Sequence, residues 1–428
     1  MNPPVRVERA LGLLPDVEAV APLRALLFAI SRPEESALWS SSGPYLTLSK
    51  RGVRPDELGR RMPQAFRQIT DHLRGVYDAY VKALECEQRG DGSGVAAALL
   101  SAGRLEQEVG RFAEARAWYE VARGISETLQ DRSSEVESLL SLGRVALALS
   151  TFAESARMFQ RALALAEAEF DQPGVIAACE GLGEAALMQG QLSGAQAWLG
   201  RALRMAEAAS DNAALGRVER QMGVLAGKQG DLGAAGEHLS RAREHLETAG
   251  TPEQMARALS AQGDLDATMG RTSAAATAYR EALAWAQRSP RDVGLELSIR
   301  LGLAEVYLDG SRYMEADEEM RRAEETAIAG NLPRRLVQVY ALMGKLRGRQ
   351  HDETGFVFFE QAINLCRTLQ GAVALEAKVY FEYGRYAEAV GQHEEARAYL
   401  ERAREIFGSV GETVEQQRAE AELRAMSA

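Results

Sequence analysis

A single spacing governs this chain. A glycine or alanine recurs every 40 residues, at Gly103, Gly143, Gly183, Gly223, Gly263, Ala304, Gly344 and Gly384, with one interval of 41. Chance does not produce such a ladder, and a period of this length marks supersecondary units that stack because none can bury its apolar face alone. The stretch from Leu139 to Ala168 shows the unit clearly. Apolar residues return at three- and four-residue spacing on both sides of a break at Ser150 to Phe152, which predicts two amphipathic helices joined by a tight turn.

Other columns keep step with the ladder. Twelve residues after each rung stands a small residue: Ala115, Ser155, Ala195, Ala235, Ala275, Ala316 and Ala396. Nineteen after it stands Ala122, Ala162, Ala202, Ala242, Ala282, Ala323 or Ala403, and the column between carries Tyr119, Phe159, Leu199, Leu239, Tyr279, Met320 and Leu400. The seventh unit needs a one-residue deletion to align Gly355, Phe359 and Ala362. Packed helices lie ~8–10 Å apart, so small residues permit the close approach and the larger column fills the space beside it. Gly110, Gly190, Gly230, Gly270 and Gly391 fall at the turns, where glycine takes the left-handed conformation that ends a helix. Asp171, Asp211, Thr251-Pro252 and Asn331 supply caps and breaks between units.

Glycine, turn glycine, alanine, aromatic and alanine at these offsets resemble the tetratricopeptide repeat over roughly residues 95 to 410. The 40-residue spacing and the missing proline late in the second helix, where Glu127, Glu167, Glu207, Glu247 and Gln287 stand, resemble the longer-helix variants of kinesin light chains, Pins-type polarity adaptors and bacterial peptide-sensing regulators. The resemblance implies an all-α fold: a right-handed superhelical array of about eight helical hairpins over residues 93–410, first helices lining a concave wall suited to a peptide or partner helix.

Residues 1–92 lie outside the repeat and read as an irregular helical segment. Val7 to Ile30 is helical but broken near Pro15 and Pro22, Ser31 to Pro44 is loop, and Tyr45 to Ser49 is a short strand or extended chain. Pro55 starts a short helix, and a longer one runs from about Gln64 to Glu87 before a flexible Gly90–Gly94 link. At the other end, residues 411–428 are rich in Glu, Gln and Arg, as expected of a capping helix with a polar outer face.

With 428 residues, 46% of them hydrophobic, the chain has ample material for a core, and its net charge of −11 argues against binding nucleic acid or an anionic membrane with its whole surface. Acidic and basic residues interrupt every apolar run near the N-terminus, and no stretch approaches the ~20 residues that cross a bilayer, so the expectation is a cytoplasmic protein without membrane insertion. Cys86, Cys179 and Cys366 lie far apart without CxxC spacing, which fits buried thiols in a reducing compartment rather than disulfides or zinc. No GxxxxGK[ST], GxGxxG, GxSxG or HExxH occurs, so neither catalytic residues nor cofactors are expected. His238 and His245 read as surface residues.

By resemblance, ligand-facing positions lie three before, one after and five after each rung. The charged residues there include Arg104, Arg144, Glu180, Glu184, Arg220, Lys228, Asp264, Glu305, Asp309, Lys345, Arg349 and Arg385. Arg217 and Arg257, six before their rungs, complete a central basic cluster with Arg220 and Lys228, flanked by acidic neighbours. Such a cluster suits the carboxylates of an acidic peptide; alternatively its charges pair across adjacent repeats. The lysine and asparagine of the family's chaperone-binding carboxylate clamp do not match Leu100 and Arg104 or Leu140 and Arg144, so a chaperone partner is not implied. A basic run at Lys50, Arg51, Arg54, Arg60, Arg61 and Arg67 reads as a solvated face, and without a helix-turn-helix pattern nucleic acid is not an expected partner. The reading is a non-enzymatic protein- or peptide-binding scaffold. The alternative is a signalling or transcription-related regulator whose N-terminal segment contacts an effector; capping the array, closing on the groove and self-association are other roles open to that segment.

Overall fold

The computed structural model describes residues 63–108, 111–149, 151–288, 292–329, 332–369, 372–410 and 413–426. The expectations for Val7–Ile30, the Ser/Pro loop, Tyr45–Ser49 and the basic run, and the caps at Gly110 and Asn331, lie outside these residues or their described side chains. All regular structure among the described residues is α-helical. Two compact units emerge. Of the described residues, the first holds those up to Leu265 and those within 284–292, and the second holds Asp266–Leu283 and those from Val293 on.

In the first unit α1 (Pro63–Gln88) lies against α2 (Gly92–Glu108). Pairs then follow: α2 with α3 (Phe112–Leu129), α4 (Arg132–Ala148) with α5 (Phe152–Ala168), α6 (Gln172–Met188) with α7 (Leu192–Ala209), and α8 (Asn212–Gln229) with α9 (Leu232–Ala249). The boundary between the units falls within α10 (Pro252–Thr268) and α11 (Thr272–Ala286). In the second unit α12 (Val293–Asp309) pairs with α13 (Tyr313–Ala329), α14 (Pro333–Arg349) with α15 (Gly355–Thr368), and α16 (Val373–Ala389) with α17 (His393–Val410), against which α18 (Thr413–Ala425) packs. Within each unit a first helix also touches the next first helix, α2 to α4 to α6 to α8 and α12 to α14 to α16. Successive first helices therefore form one inner wall per stack. Second helices reach one another through long side chains, Arg161 to Glu127 at 3.0 Å and Arg201 to Glu167.

Two of the residues standing where the proline would fall, Glu127 and Glu167, thus tie their helix to its neighbour.

The columns do what their residue sizes imply. A Cβ placed on Gly143 would stand 2.6 Å from the Phe159 ring, and one on Gly183 would stand 2.5 Å from Leu199. Beside Gly223 the backbone carbonyl of Ala235 would be 3.2 Å away, so the two paired helices meet where both columns are small. Ser155 occupies the alanine column because its buried hydroxyl donates to the Gly143 carbonyl at 2.9 Å. In the shortened seventh unit Phe359 still lies over Gly344, as the one-residue deletion requires.

Five helix starts share one device. Asp91, Asp131, Asp171, Asp211 and Asp231 each accept from the backbone N–H three residues on, at 2.9–3.1 Å, which satisfies one of the amides a helix start leaves open. Thr251 and Gln254 cap each other reciprocally. The expected flexible Gly90–Gly94 link is instead a capped turn: Gly90 takes φ +72°, Asp91 caps, and Gly92 already begins α2.

Cys86, Cys179 and Cys366 are free and buried, and burial pushes the Cys179 and Cys366 thiols up to about 11. Since the thiolate is the reactive form, a thiol-specific aromatic disulfide reagent at neutral pH is expected to label these residues only once denaturant is added. Rapid labelling of the native chain would contradict the burial.

Candidate functional site

The inner wall of the first unit holds the central basic cluster, and the structure divides its members. Arg217 on α8 forks onto Glu180 on α6, with Nε donating to Oε2 at 3.0 Å and Nη2 to Oε1 at 2.9 Å. Burial works against the charge on Arg217, but the Glu180 carboxylate outweighs it and the pKa is raised. Arg257 on α10 donates to Glu253 at 2.9 Å and to Asp292 at 2.6 Å. There too burial is the largest effect, and Asp292 and Glu253 overcome it. These arginines are neutralised within the fold, as the pairing alternative foresaw.

Arg220 differs. It is half-buried and makes no hydrogen bond or ion pair to any described residue. Burial pushes its pKa down; Glu184 opposes this while Arg257 adds to it. The group stays charged, because arginine does not deprotonate in proteins. Beside it, the Gln221 amide nitrogen donates to Glu184 at 3.4 Å, and the amide oxygen is buried without a hydrogen-bond partner. Lys228, in the last turn of α8, is exposed and complements the negative helix end. It stands eight residues beyond Arg220, about 12 Å along the axis, and so is not drawn into the same grip.

The remaining candidates are more dispersed. Arg104 is exposed, 3.6 Å from Glu137 and 3.2 Å from the Ser101 hydroxyl. Arg144, Asp264 and Glu305 are exposed, and Lys345 is half-buried. Arg349 lies 3.9 Å from Asp309, and Arg385 sits between Glu382 at 3.7 Å and Glu422 of α18 at 3.5 Å. Exposed pairs of this kind contribute only ~0–1 kcal/mol each.

One site escaped the sequence reading. Four before and fifteen after each rung, first and second helix of a unit meet side by side: Tyr380 and Tyr399 stack with centroids 6.1 Å apart. In two units that position is ionic. His238 Nδ1 lies 2.5 Å from the buried Glu219, which also accepts from Arg241 at 3.1 Å. Arg300 Nη1 donates to Glu319 at 2.6 Å and its Nε to Glu296 at 3.0 Å, all three buried. His238 is therefore not a free surface residue; its polar partner was visible only as a charged exception in a mostly apolar column. His245 is half-buried and lies 3.2 Å from Asn212 Oδ1.

Among the described residues no cluster of three His, Cys, Asp or Glu is arranged to hold a metal, and no helix is long and apolar enough to cross a membrane.

No protein-family model and no curated protein matches this sequence. Solved structures do match in shape. A Rap protein complexed with competence and sporulation factor superposes with a TM-score of 0.58 over 82% of this chain and 99% of its own, at 13% identity. The apo form of the quorum sensor NprR from B. thuringiensis gives 0.51 over 76% and 93%, at 12% identity. The Rap conjugation gene regulator of plasmid pLS20, in complex with a Phr peptide, gives 0.50 over 90% of both chains, at 14% identity. At such identities the likeness is one of fold. Hairpins repeating every 40 residues, small residues at each crossing and first helices lined up along each stack, together with this likeness, show that the chain has a helical-hairpin repeat fold, the fold that the resemblance to the tetratricopeptide repeat implied.

Proposed function

We propose that the chain is a non-enzymatic protein- or peptide-binding scaffold whose ligand docks along the first-helix wall of the first unit. The observation that carries the reading is that wall itself. Charged residues stand on successive first helices, oriented by a forked ion pair and an amide hydrogen bond that run from one helix to another, so the surface is set before a ligand arrives. Preorganised polar groups of this kind lower the entropic cost of binding. Two of the structural relatives were solved with a factor or peptide bound, which supports a peptide-sized ligand. A cytoplasmic setting accords with the buried free thiols.

The test is affinity capture from native lysate by the full chain and by the Arg220→Glu/Arg257→Glu variant, each confirmed folded by circular dichroism. Proteins or peptides retained by the parent and lost by the variant are expected. An identical set from both would remove this wall as the docking surface.

Likeness in fold to a quorum sensor and a conjugation gene regulator favours a second reading, in which the N-terminal segment, residues 1–92, contacts an effector. Removing those residues separates the two: a scaffold retains every partner, whereas a regulator retains its groove ligand and loses the effector.

A further inference from the structure

We infer that Arg220 is the anchor for one carboxylate of the bound peptide, and that the side-chain oxygen of Gln221 takes a peptide N–H beside it. This rests on the peptide-binding reading above and names the chemistry its ligand must carry.

Two unmet demands stand next to each other on α8. The first is for an anion. Arg217 and Arg257 already hold carboxylates of the protein, Glu180 for one and Glu253 with Asp292 for the other, while Arg220 makes no such bond to any described residue. Burial and the neighbouring arginines push its pKa down, more than Glu184 and Glu180 restore, so an arriving anion meets a cation its surroundings have not compensated. A guanidinium also matches a carboxylate in shape, offering two parallel N–H donors.

The second demand is for a donor. Gln221 is only 5% exposed, its amide nitrogen is turned to Glu184, and its oxygen is left without a partner. A buried acceptor left unmet is costly. Arg220 and Gln221 share Glu184 as a neighbour, so both demands lie beside one carboxylate. A peptide backbone supplies the N–H within a residue of an acidic side chain or of its own terminal carboxylate. Glu180 and Glu184 flank the spot, and like charges repel. The ligand therefore carries a single acidic group there rather than an acidic run.

The experiment uses the immobilised full chain and two synthetic libraries of random heptapeptides, one with free and one with amidated C-termini, with retained peptides identified by mass spectrometry. An acidic side chain as the source predicts peptides from both libraries with one Asp or Glu at a fixed position; a terminal carboxylate predicts retention from the free library alone. Either way, replacing the acidic group by its amide weakens binding roughly 10–100-fold, the range for a charged hydrogen-bonded contact. Arg220→Gln weakens the acidic peptide by the same factor and leaves the amide analogue unchanged. Gln221→Met weakens the parent peptide but not one N-methylated at the amide it pairs with. If peptides are retained with no acidic preference and Arg220→Gln changes nothing, the anchor is wrong while peptide binding stands. If the parent chain retains no peptide from either library, the peptide-binding reading itself falls, and this inference with it.

Discussion

Phe159→Ala is expected to destabilise the first unit by about 3–5 kcal/mol, the range for removing a large aromatic from a packed core. The ring is 1% exposed, and it serves two interfaces at once. It fills the space over Gly143 of its own hairpin and over Gly181 of the next first helix, where an added Cβ on either glycine would collide with it. Leu139, Ala162, Val175 and Leu182 lie in the same cluster. Because each repeat is stabilised by its own packing and by its contact with the next, one truncation loosens both α4 against α5 and α5 against α6. Urea unfolding followed by circular dichroism gives the size of the effect, and hydrogen exchange should show protection lost first from α4 to α6. Phe159→Leu is the informative partner: leucine fills this column at Leu199 and Leu239, so it should lose no more than about half as much. A loss below 1 kcal/mol for Phe159→Ala would mean that the ring is not the spacer between these helices.

That ring also shows what the sequence displays and what it conceals. The 40-residue ladder, the alanine columns and the large column are properties of one hairpin, repeated, so a single chain lays them side by side. The helices, the small crossings and the seventh unit's deletion follow from them directly. Gly181 was not legible in that way. It is small because Phe159 of the preceding unit rests on it, and Gly302 stands in the same relation to Tyr279. A constraint passed from one repeat to the next appears only when the repeats are stacked.

The same limit governs the binding wall. Charged residues could be assigned to the inner wall from the ladder, but which of them are already neutralised depends on reach across neighbouring helices. Arg217 meets Glu180 from 37 residues away, while Arg220, three residues further along α8, has no such partner among the described residues. Equal spacing in sequence carried no hint of that division, because it arises from side-chain direction and length rather than from residue type.

The buried ion cluster around Arg300 permits the sharpest separation of stability from pattern. Arg300→Met is expected to destabilise the second unit by about 3–5 kcal/mol, since removing one partner leaves buried charge uncompensated. Here Glu296 and Glu319, 6% and 9% exposed, would both lose the cation that now donates to them; Arg322, at 3.2 Å from Glu319, softens the loss at that carboxylate. Other repeats place apolar residues at the equivalent three positions, Val95, Leu99 and Trp118 in one and Val175, Cys179 and Trp198 in another. The triple variant Glu296→Val/Arg300→Leu/Glu319→Met therefore restores the common pattern, and it should lie within about 1 kcal/mol of the parent or above it, as replaced buried ion triads commonly do. Equilibrium urea unfolding of the parent, the single and the triple variant decides the matter. A triple variant as unstable as Arg300→Met would show that the charges set the register of α12 against α13. Recovery would show that this hairpin needs volume at the crossing, and that the ions are one of several ways to fill it.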